Sequence, residues 1–136
     1  MKLAVIFEKD DAANEKTARM LKWFGYTTAS VRSAHEAFNV VGALLAHVIV
    51  IYSASSAEER RAIPNELKRL VPTSTIILMT DNEKEYLAAK HHPVPGVDVV
   101  MKRPVSVDAL RRILEPVLEP YPPQPRIVPP VERRKR

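Results

Sequence analysis

The chain has 136 residues, of which 46% are hydrophobic and 27% charged, and it contains no cysteine. This length suits one domain with its own core, and the missing cysteines exclude disulfides and thiolate metal sites. No apolar run approaches the ~20 residues that a membrane span needs, and the short apolar start LAVIF is too brief for a signal peptide. We therefore expect a cytoplasmic protein with no membrane-spanning segment.

The net charge of +5 is concentrated at the C-terminal end. Residues 120–136 hold five basic side chains and one acid, which leaves the rest of the chain nearly neutral. This segment is also dense in proline and has no apolar period, so we predict one domain over residues 1–119 and a disordered tail over 120–136. The tail would serve as a linker, as a proline-rich ligand for an aromatic groove, or as a weak nucleic-acid contact through RRKR.

Short β-branched runs alternate along the body with segments of helical spacing. Strands are predicted at residues 3–7, 26–31, 48–52, 74–79 and 97–101. Helices are predicted at about 11–24, 34–45, 58–70, 82–91 and 107–118. Pro64 falls inside the third helical segment, where the helix either begins or kinks. This alternation predicts an α/β fold with a parallel sheet, in which functional groups gather at the carboxyl ends of the strands.

Local signals mark several helix ends. Gly25 follows the first helix at a position where a left-handed backbone suits glycine. Ser33 precedes the second helix, and Glu36 three residues later completes a capping box. Ser106 is the expected N-cap of the last helix.

Gly96 and Asp98 stand at the start of the last predicted strand, Pro104 follows that strand, and Leu110 lies in the last predicted helix. The first predicted helix ends in Gly-Tyr, and the fourth strand ends at Thr80. In these features the chain resembles the receiver domain of bacterial two-component response regulators. In that family a Gly-Ala-Asp stretch leads through the fifth strand to Lys-Pro and then to a helical leucine. The resemblance covers residues 2–118 and implies a single doubly wound (βα)5 domain, with a flavodoxin-like five-stranded parallel sheet in the order 2-1-3-4-5.

The resemblance also implies a set of chemical roles. In receivers, two acids after the first strand bind Mg²⁺, and an aspartate at the end of the third strand accepts a phosphoryl group. A hydroxyl after the fourth strand and a lysine after the fifth contact the phosphoryl oxygens. Here the acidic positions fall on Glu8 and Lys9, with Asp10 next, and the hydroxyl position falls on Thr80.

Three further positions depart from the family. The phosphoacceptor position falls on Tyr52, a neutral phenol and not a carboxylate. Arg103 stands at the lysine position, preceded by Lys102, and Val100 stands where receivers often carry a switch aromatic. The resemblance therefore implies an atypical receiver that lacks the phosphoacceptor aspartate, is not an enzyme, and binds Mg²⁺ weakly or not at all.

The charged residues at the altered site suggest that an ion pair takes the place of Mg²⁺. We predict that Lys9 or Arg103 forms an ion pair with Glu8 or Asp10 across the strand ends, which would fix one conformation without a ligand. Asp10 or Asp11 would otherwise cap the first helix.

The resemblance implies a protein partner in a phosphorelay or two-component pathway, either a histidine kinase or an output protein. Two copies would pair through the last helix, whose exposed face is predicted to carry Arg111, Arg112 and Glu115. Of Trp23 and Phe24, one is expected in the core and the other at the surface, where tryptophan would suit an interface.

Three alternatives remain open at this point. The first is a receiver still phosphorylated through Asp10 or a displaced acid. The second is a nucleic-acid-associated regulator that acts through the basic tail. The third is a small-molecule binder with a pocket lined by Tyr52, Thr80 and Arg103.

Overall fold

The computed structural model describes residues 2–52 and 57–118. Five strands alternate with five helices along the chain. In chain order they are β1 (Leu3–Phe7), α1 (Asp11–Trp23), β2 (Thr27–Val31), α2 (Ala34–Leu44), β3 (Val48–Tyr52), α3 (Ala57–Leu70), β4 (Thr75–Thr80), α4 (Glu83–His91), β5 (Val99–Lys102) and α5 (Val107–Leu118). The predicted tail, residues 120–136, lies outside the described residues.

The strands form one sheet in the order β2-β1-β3-β4-β5, and every neighbouring pair is parallel. This confirms the predicted fold class and strand order. Because the strands are parallel, their carboxyl ends lie along one edge of the sheet. The register places Tyr52 beside Met79 and Thr80 beside Lys102 at that edge.

The sheet carries a hydrophobic core on each face. Residues such as Val5 and Ile49 point to one face, where they pack with Leu67 of α3. Residues such as Ile77 point to the other face, where they pack with Leu110 of α5. Burial on both faces explains why β1, β3 and β4 read as continuous apolar runs in the sequence.

The predicted helix caps are present. Asp10 caps α1 by accepting a hydrogen bond from the Ala13 amide at 2.8 Å. Ser33 caps α2 through the Glu36 amide at 3.1 Å, but the Glu36 carboxylate accepts from Arg32 and not from the cap residue itself. The reciprocal half of the predicted capping box is therefore shifted by one residue. Ser106 caps α5 in the same way, at 3.0 Å from the Ala109 amide.

Two other predictions needed the structure to refine them. Pro64 lies inside α3, which begins at Ala57, so the helix neither starts at the proline nor stops there. The strand β5 begins at Val99, two residues later than predicted. Just before it, the Asp98 amide donates to the Ile76 carbonyl of β4 at 2.9 Å, and the Asp98 carboxylate accepts the Ile76 amide at 2.8 Å.

The surface predictions agree with the structure where it can be compared. Trp23 is 78% exposed, whereas Phe24 packs against the core on the α1 face. Arg111, Arg112 and Glu115 are all exposed on α5. No helix among the described residues has the length and apolar character to cross a membrane.

Candidate functional site

The carboxyl edge of the sheet gathers polar residues from four elements. Glu8 follows β1, Tyr52 ends β3, Asp81 follows β4 and Arg103 follows β5. These strands are consecutive neighbours in the sheet, so their ends bring the four side chains to one place. We refer to Glu8, Tyr52, Asp81 and Arg103 as the edge cluster.

The first half of the edge cluster is a buried ion pair. Arg103 donates through Nη1 to Glu8 Oε1 at 3.0 Å, and the side chains are 19% and 3% exposed. The other Glu8 oxygen accepts the Asp10 amide at 3.1 Å. Of the predicted pairings of Lys9 or Arg103 with Glu8 or Asp10, the structure contains that of Arg103 with Glu8. Lys9 is exposed and has no ion pair within residues 2–52 and 57–118, and Asp10 serves as a helix cap.

The second half joins Arg103 to Asp81 and Tyr52. Arg103 Nε lies 3.0 Å from Asp81 Oδ1, and Nη2 lies 3.2 Å from Oδ2. The Tyr52 hydroxyl donates to the same Oδ2 at 2.5 Å. The guanidinium carbon lies 3.8 Å from the centroid of the Tyr52 ring, a cation–π arrangement. One cation thus contacts two carboxylates and an aromatic face.

The pKa shifts in the edge cluster favour ionised Asp81 and Arg103 and a neutral Tyr52 hydroxyl. The hydrogen bond to Asp81, together with partial burial, raises the pKa of Tyr52 above its ordinary value of 10.0. Hydrogen bonds from Arg103 and Tyr52 hold the pKa of Asp81 below its ordinary 3.8. Burial would lower the pKa of Arg103, but the hydrogen bond and charge of Asp81 and the charge of Glu8 raise it overall.

Sequence reasoning missed Asp81 and a second residue, Asn14. Asp81 directly follows Thr80, the position at the end of β4 that the receiver resemblance identified. This adjacency was the signal for Asp81 that the sequence contained. Asn14 is buried on α1, and its amide donates to the Glu8 carbonyl at 3.1 Å. Ser30 in turn donates to the Asn14 side-chain oxygen. Asn14 therefore positions the backbone that carries Glu8.

The remaining predicted site residues do not join the edge cluster. Thr80 is buried, and its hydroxyl donates to Glu85 Oε1 at 2.7 Å and accepts the Asn82 amide at 3.1 Å. Lys102 pairs with Glu83 on the surface, with Nζ 2.5 Å from Oε1. Val100 is half-buried against the core on the α2 and α3 face. The side chains at these three positions therefore make local contacts, although the Arg103 amide donates to the Thr80 carbonyl at 2.8 Å.

The geometry also separates the predicted small-molecule pocket into two cavities. An open cleft of about 320 Å³ is lined by Tyr52, Thr80, Asp81, Asn82 and Glu85. Arg103 lines a different cavity of about 280 Å³, between α1 and the connection from β5 to α5. Asp81 belongs to both, so it separates them.

The cluster does not fit Mg²⁺, the cofactor that the receiver resemblance brings with it. Mg²⁺ prefers several oxygen ligands in octahedral geometry. Both oxygens of Glu8 are engaged, by Arg103 and by the Asp10 amide. Within the part of the chain that the structure describes, no three histidine, cysteine, aspartate or glutamate side chains come together as a metal site.

Loss of the Tyr52 hydroxyl should have a pH-dependent cost. Tyr52→Phe removes a hydrogen bond to a carboxylate that is 56% exposed, so we expect it to lower the free energy of unfolding by about 1 kcal/mol at pH 7. Because the folded pKa of Tyr52 is raised, this contribution is complete below the unfolded pKa of 10.0 and is lost as the pH rises through the folded value. Urea unfolding of both proteins at pH 7 and pH 11 measures this difference. An equal or larger difference at pH 11 would contradict the assignment.

Solved structures with this fold are numerous, and three illustrate the likeness. A response regulator from Thermotoga maritima superposes with a TM-score of 0.74 at 11% identity, over 88% of this chain and 98% of that one. A response regulator receiver domain from Methylobacillus flagellatus gives 0.71 at 20% identity, over 86% and 98%. A putative pilus assembly-related protein from Burkholderia pseudomallei gives 0.70 at 22% identity, over 86% and 89%.

These similarities establish that the chain has the receiver fold. No protein-family model matches the sequence, and no curated protein matches it. The likeness therefore lies in the backbone and the order of its elements, whereas the chemistry has to be argued from the edge cluster itself.

Proposed function

We propose that this chain is an atypical receiver domain of two-component or phosphorelay signalling that works without phosphorylation, as a protein-interaction module in the cytoplasm. One observation carries the proposal: Arg103 is held between Glu8 and Asp81 and stacked on Tyr52. The receiver fold of the solved structures gives the signalling context.

The acceptor chemistry of a receiver is missing from the edge cluster. Phosphoryl transfer to an aspartate needs a carboxylate nucleophile at the end of the third strand. Tyr52 occupies that strand end, and its hydroxyl already donates to Asp81. With a pKa above 10.0, fewer than about one phenol in a thousand is ionised at pH 7. A neutral donor in this position is a poor nucleophile.

The charge balance removes the need for a metal. In a receiver the clustered acids repel one another until a divalent cation binds, as the resemblance implies. Here the guanidinium supplies the positive charge from within the chain and uses three of its five N–H groups on Glu8 and Asp81. The ends of β1, β4 and β5 are thereby tied together in one conformation.

A domain fixed in one conformation would act through the surface that it presents to a partner protein, without a phosphorylation-dependent change. The exposed polar face of α5 and exposed Trp23 are the features that suit a partner protein. A histidine kinase or an output protein is the class of partner that the receiver fold suggests, and a second copy bound through α5 is a further possibility. The module itself would carry out no chemical reaction.

Acetyl phosphate tests this function directly. The full chain is incubated with Mg²⁺ and acetyl phosphate and examined by intact-mass spectrometry. We expect no phosphoryl adduct on the wild-type chain. A variant that restores the receiver pattern, K9D/Y52D/R103K, serves as the reconstructed comparison and is expected to take up the label. An adduct on wild-type Asp10 or Asp81 would instead support phosphorylation through a displaced acid.

A further inference from the structure

The cavity beside α1 is a different space from the cleft at Tyr52. Its volume is about 280 Å³, at the lower end of the ~300–1,000 Å³ typical of ligand sites. The α1 wall is formed by Ala13, Lys16, Thr17 and Met20, and the opposite side by Met79, Asp81, Arg103, Pro104 and Val105. None of these residues except Asp81 lines the other cleft.

The walls of this cavity are apolar and adaptable. Met79 lies at its base and is buried in the core, whereas Met20 is half-buried on α1. Methionine side chains are flexible and polarisable, so they adjust to the shape of an apolar ligand. Ala13, Pro104 and Val105 leave the space between them unfilled.

The residues that line the cavity include two cations, Lys16 and Arg103, and one acid, Asp81. Lys16 is exposed and has no ion pair within residues 2–52 and 57–118. Arg103 has five N–H groups, of which three donate to Glu8 and Asp81, so two remain for another acceptor. Arg103 is shared between Asp81 and Glu8, so Lys16 is the lining cation whose charge none of the described carboxylates offsets.

We propose that this cavity binds a small organic carboxylate with an apolar body, whose carboxylate lies between Lys16 and Arg103 and whose body contacts Met20 and Met79. The apolar walls account for the body, and the charge of Lys16 together with the two remaining N–H groups of Arg103 accounts for the carboxylate. This inference goes beyond the interaction module proposed above and does not depend on it, because the cavity exists whether or not the edge cluster is ever phosphorylated.

Three matched probes that differ only in their polar end test the ligand class: 3-phenylpropionate, 3-phenylpropanamide and 3-phenylpropylamine. Hexanoate and cyclohexanecarboxylate vary the apolar body. The readout is methyl NMR of the full chain labelled at its four methionines. We expect Met20 and Met79, which line the cavity, to shift on binding. The carboxylate should bind roughly tenfold more tightly than the amide.

Two pairs of variants locate the site. Ala13→Leu fills the cavity and should abolish the shifts, whereas Ala12→Leu, at the exposed neighbouring position of the same helix, should leave them unchanged. Lys16→Gln should weaken carboxylate binding by about threefold to fivefold and leave amide binding alone. Lys22→Gln removes an exposed cation elsewhere on α1 and should have no effect.

Three results would overturn the proposal. The first is that none of the three carboxylates shifts Met20 or Met79 at millimolar concentration. The second is that the amine binds more tightly than the carboxylate, which would mean that Asp81 and not the cations sets the charge preference. The third is that binding persists in Ala13→Leu. Acetyl phosphate labelling is a separate measurement, so failure here leaves the test of the interaction module intact.

Discussion

Replacing Arg103 with methionine is expected to lower the free energy of unfolding by about 3 kcal/mol at pH 7. The substitution keeps the apolar stem but leaves Glu8, which is 3% exposed, as a buried carboxylate without its cation. An uncompensated buried charge costs more than the intact pair contributes. In thermal unfolding, this loss corresponds to a decrease in Tm of roughly 10 °C.

A double-mutant cycle identifies Glu8 as the source of that cost. Adding Glu8→Gln to Arg103→Met removes the stranded charge and should restore more than half of the lost stability. Arg112→Met is the matched control, because Arg112 is exposed on α5 and should tolerate the change to within about 0.5 kcal/mol. A loss below 1 kcal/mol for Arg103→Met, or no recovery in the double variant, would show that the pair is not the main constraint.

The second large effect is expected at Gly96. Its φ is +88°, and a Cβ added there would lie 2.6 Å from the carbonyl carbon and oxygen of Pro64 and 2.7 Å from Asn65 Cα. All three are backbone atoms of α3, which cannot move without shifting the helix. We therefore expect Gly96→Ala to lower the free energy of unfolding by about 3 kcal/mol, from the left-handed backbone and the close contact together.

The other two glycines are controls for the two causes. Gly25 has nearly the same backbone, with φ +89°, but its new Cβ would meet only the flexible end of Lys2 at 3.6 Å. Gly25→Ala should therefore cost about 1 kcal/mol from backbone strain alone. Gly42 lies in α2 with nothing within 4 Å, so Gly42→Ala should stabilise by up to about 1 kcal/mol. Urea unfolding of the three variants checks this order, and a Gly96→Ala loss no larger than that of Gly25→Ala would refute the contact.

The strand positions were predictable because a strand that is buried on both faces needs consecutive apolar residues. The strands β1, β3 and β4 are buried on both faces and read as unbroken apolar runs, so their positions were predicted to within a residue. The start of β5 was less clear, because the Asp98 side chain accepts the Ile76 amide of β4 while the Asp98 amide donates to the Ile76 carbonyl. These hydrogen bonds depend on a residue of the neighbouring strand, so the local sequence around Asp98 does not predict them. The strand order itself came from the family resemblance.

The site was only partly predictable for a related reason. An ion pair between Lys9 or Arg103 and Glu8 or Asp10 was predicted from opposite charges at the carboxyl ends of β1 and β5, and the pair that forms is Arg103 with Glu8. Asp81 was missed because its importance comes from two partners distant in sequence, Tyr52 and Arg103, which reach it only in the folded chain. Thr80 was expected at the same site, but its hydroxyl turns to Glu85 at the start of α4. Strand ends therefore predict which residues meet, and the side-chain directions have to come from the structure.

The measurement that tests the central claim most directly is an amide NMR titration of the full chain, first with Mg²⁺ and then with beryllofluoride, a mimic of the phosphoryl group. If Arg103 has replaced the metal, neither addition should produce saturable shifts at Glu8, Tyr52, Asp81 or Arg103 up to about 10 mM Mg²⁺. The variant Arg103→Met provides the comparison in which Glu8 is released. Saturable shifts in the wild-type chain would contradict the account, and the domain would then be a metal-dependent switch.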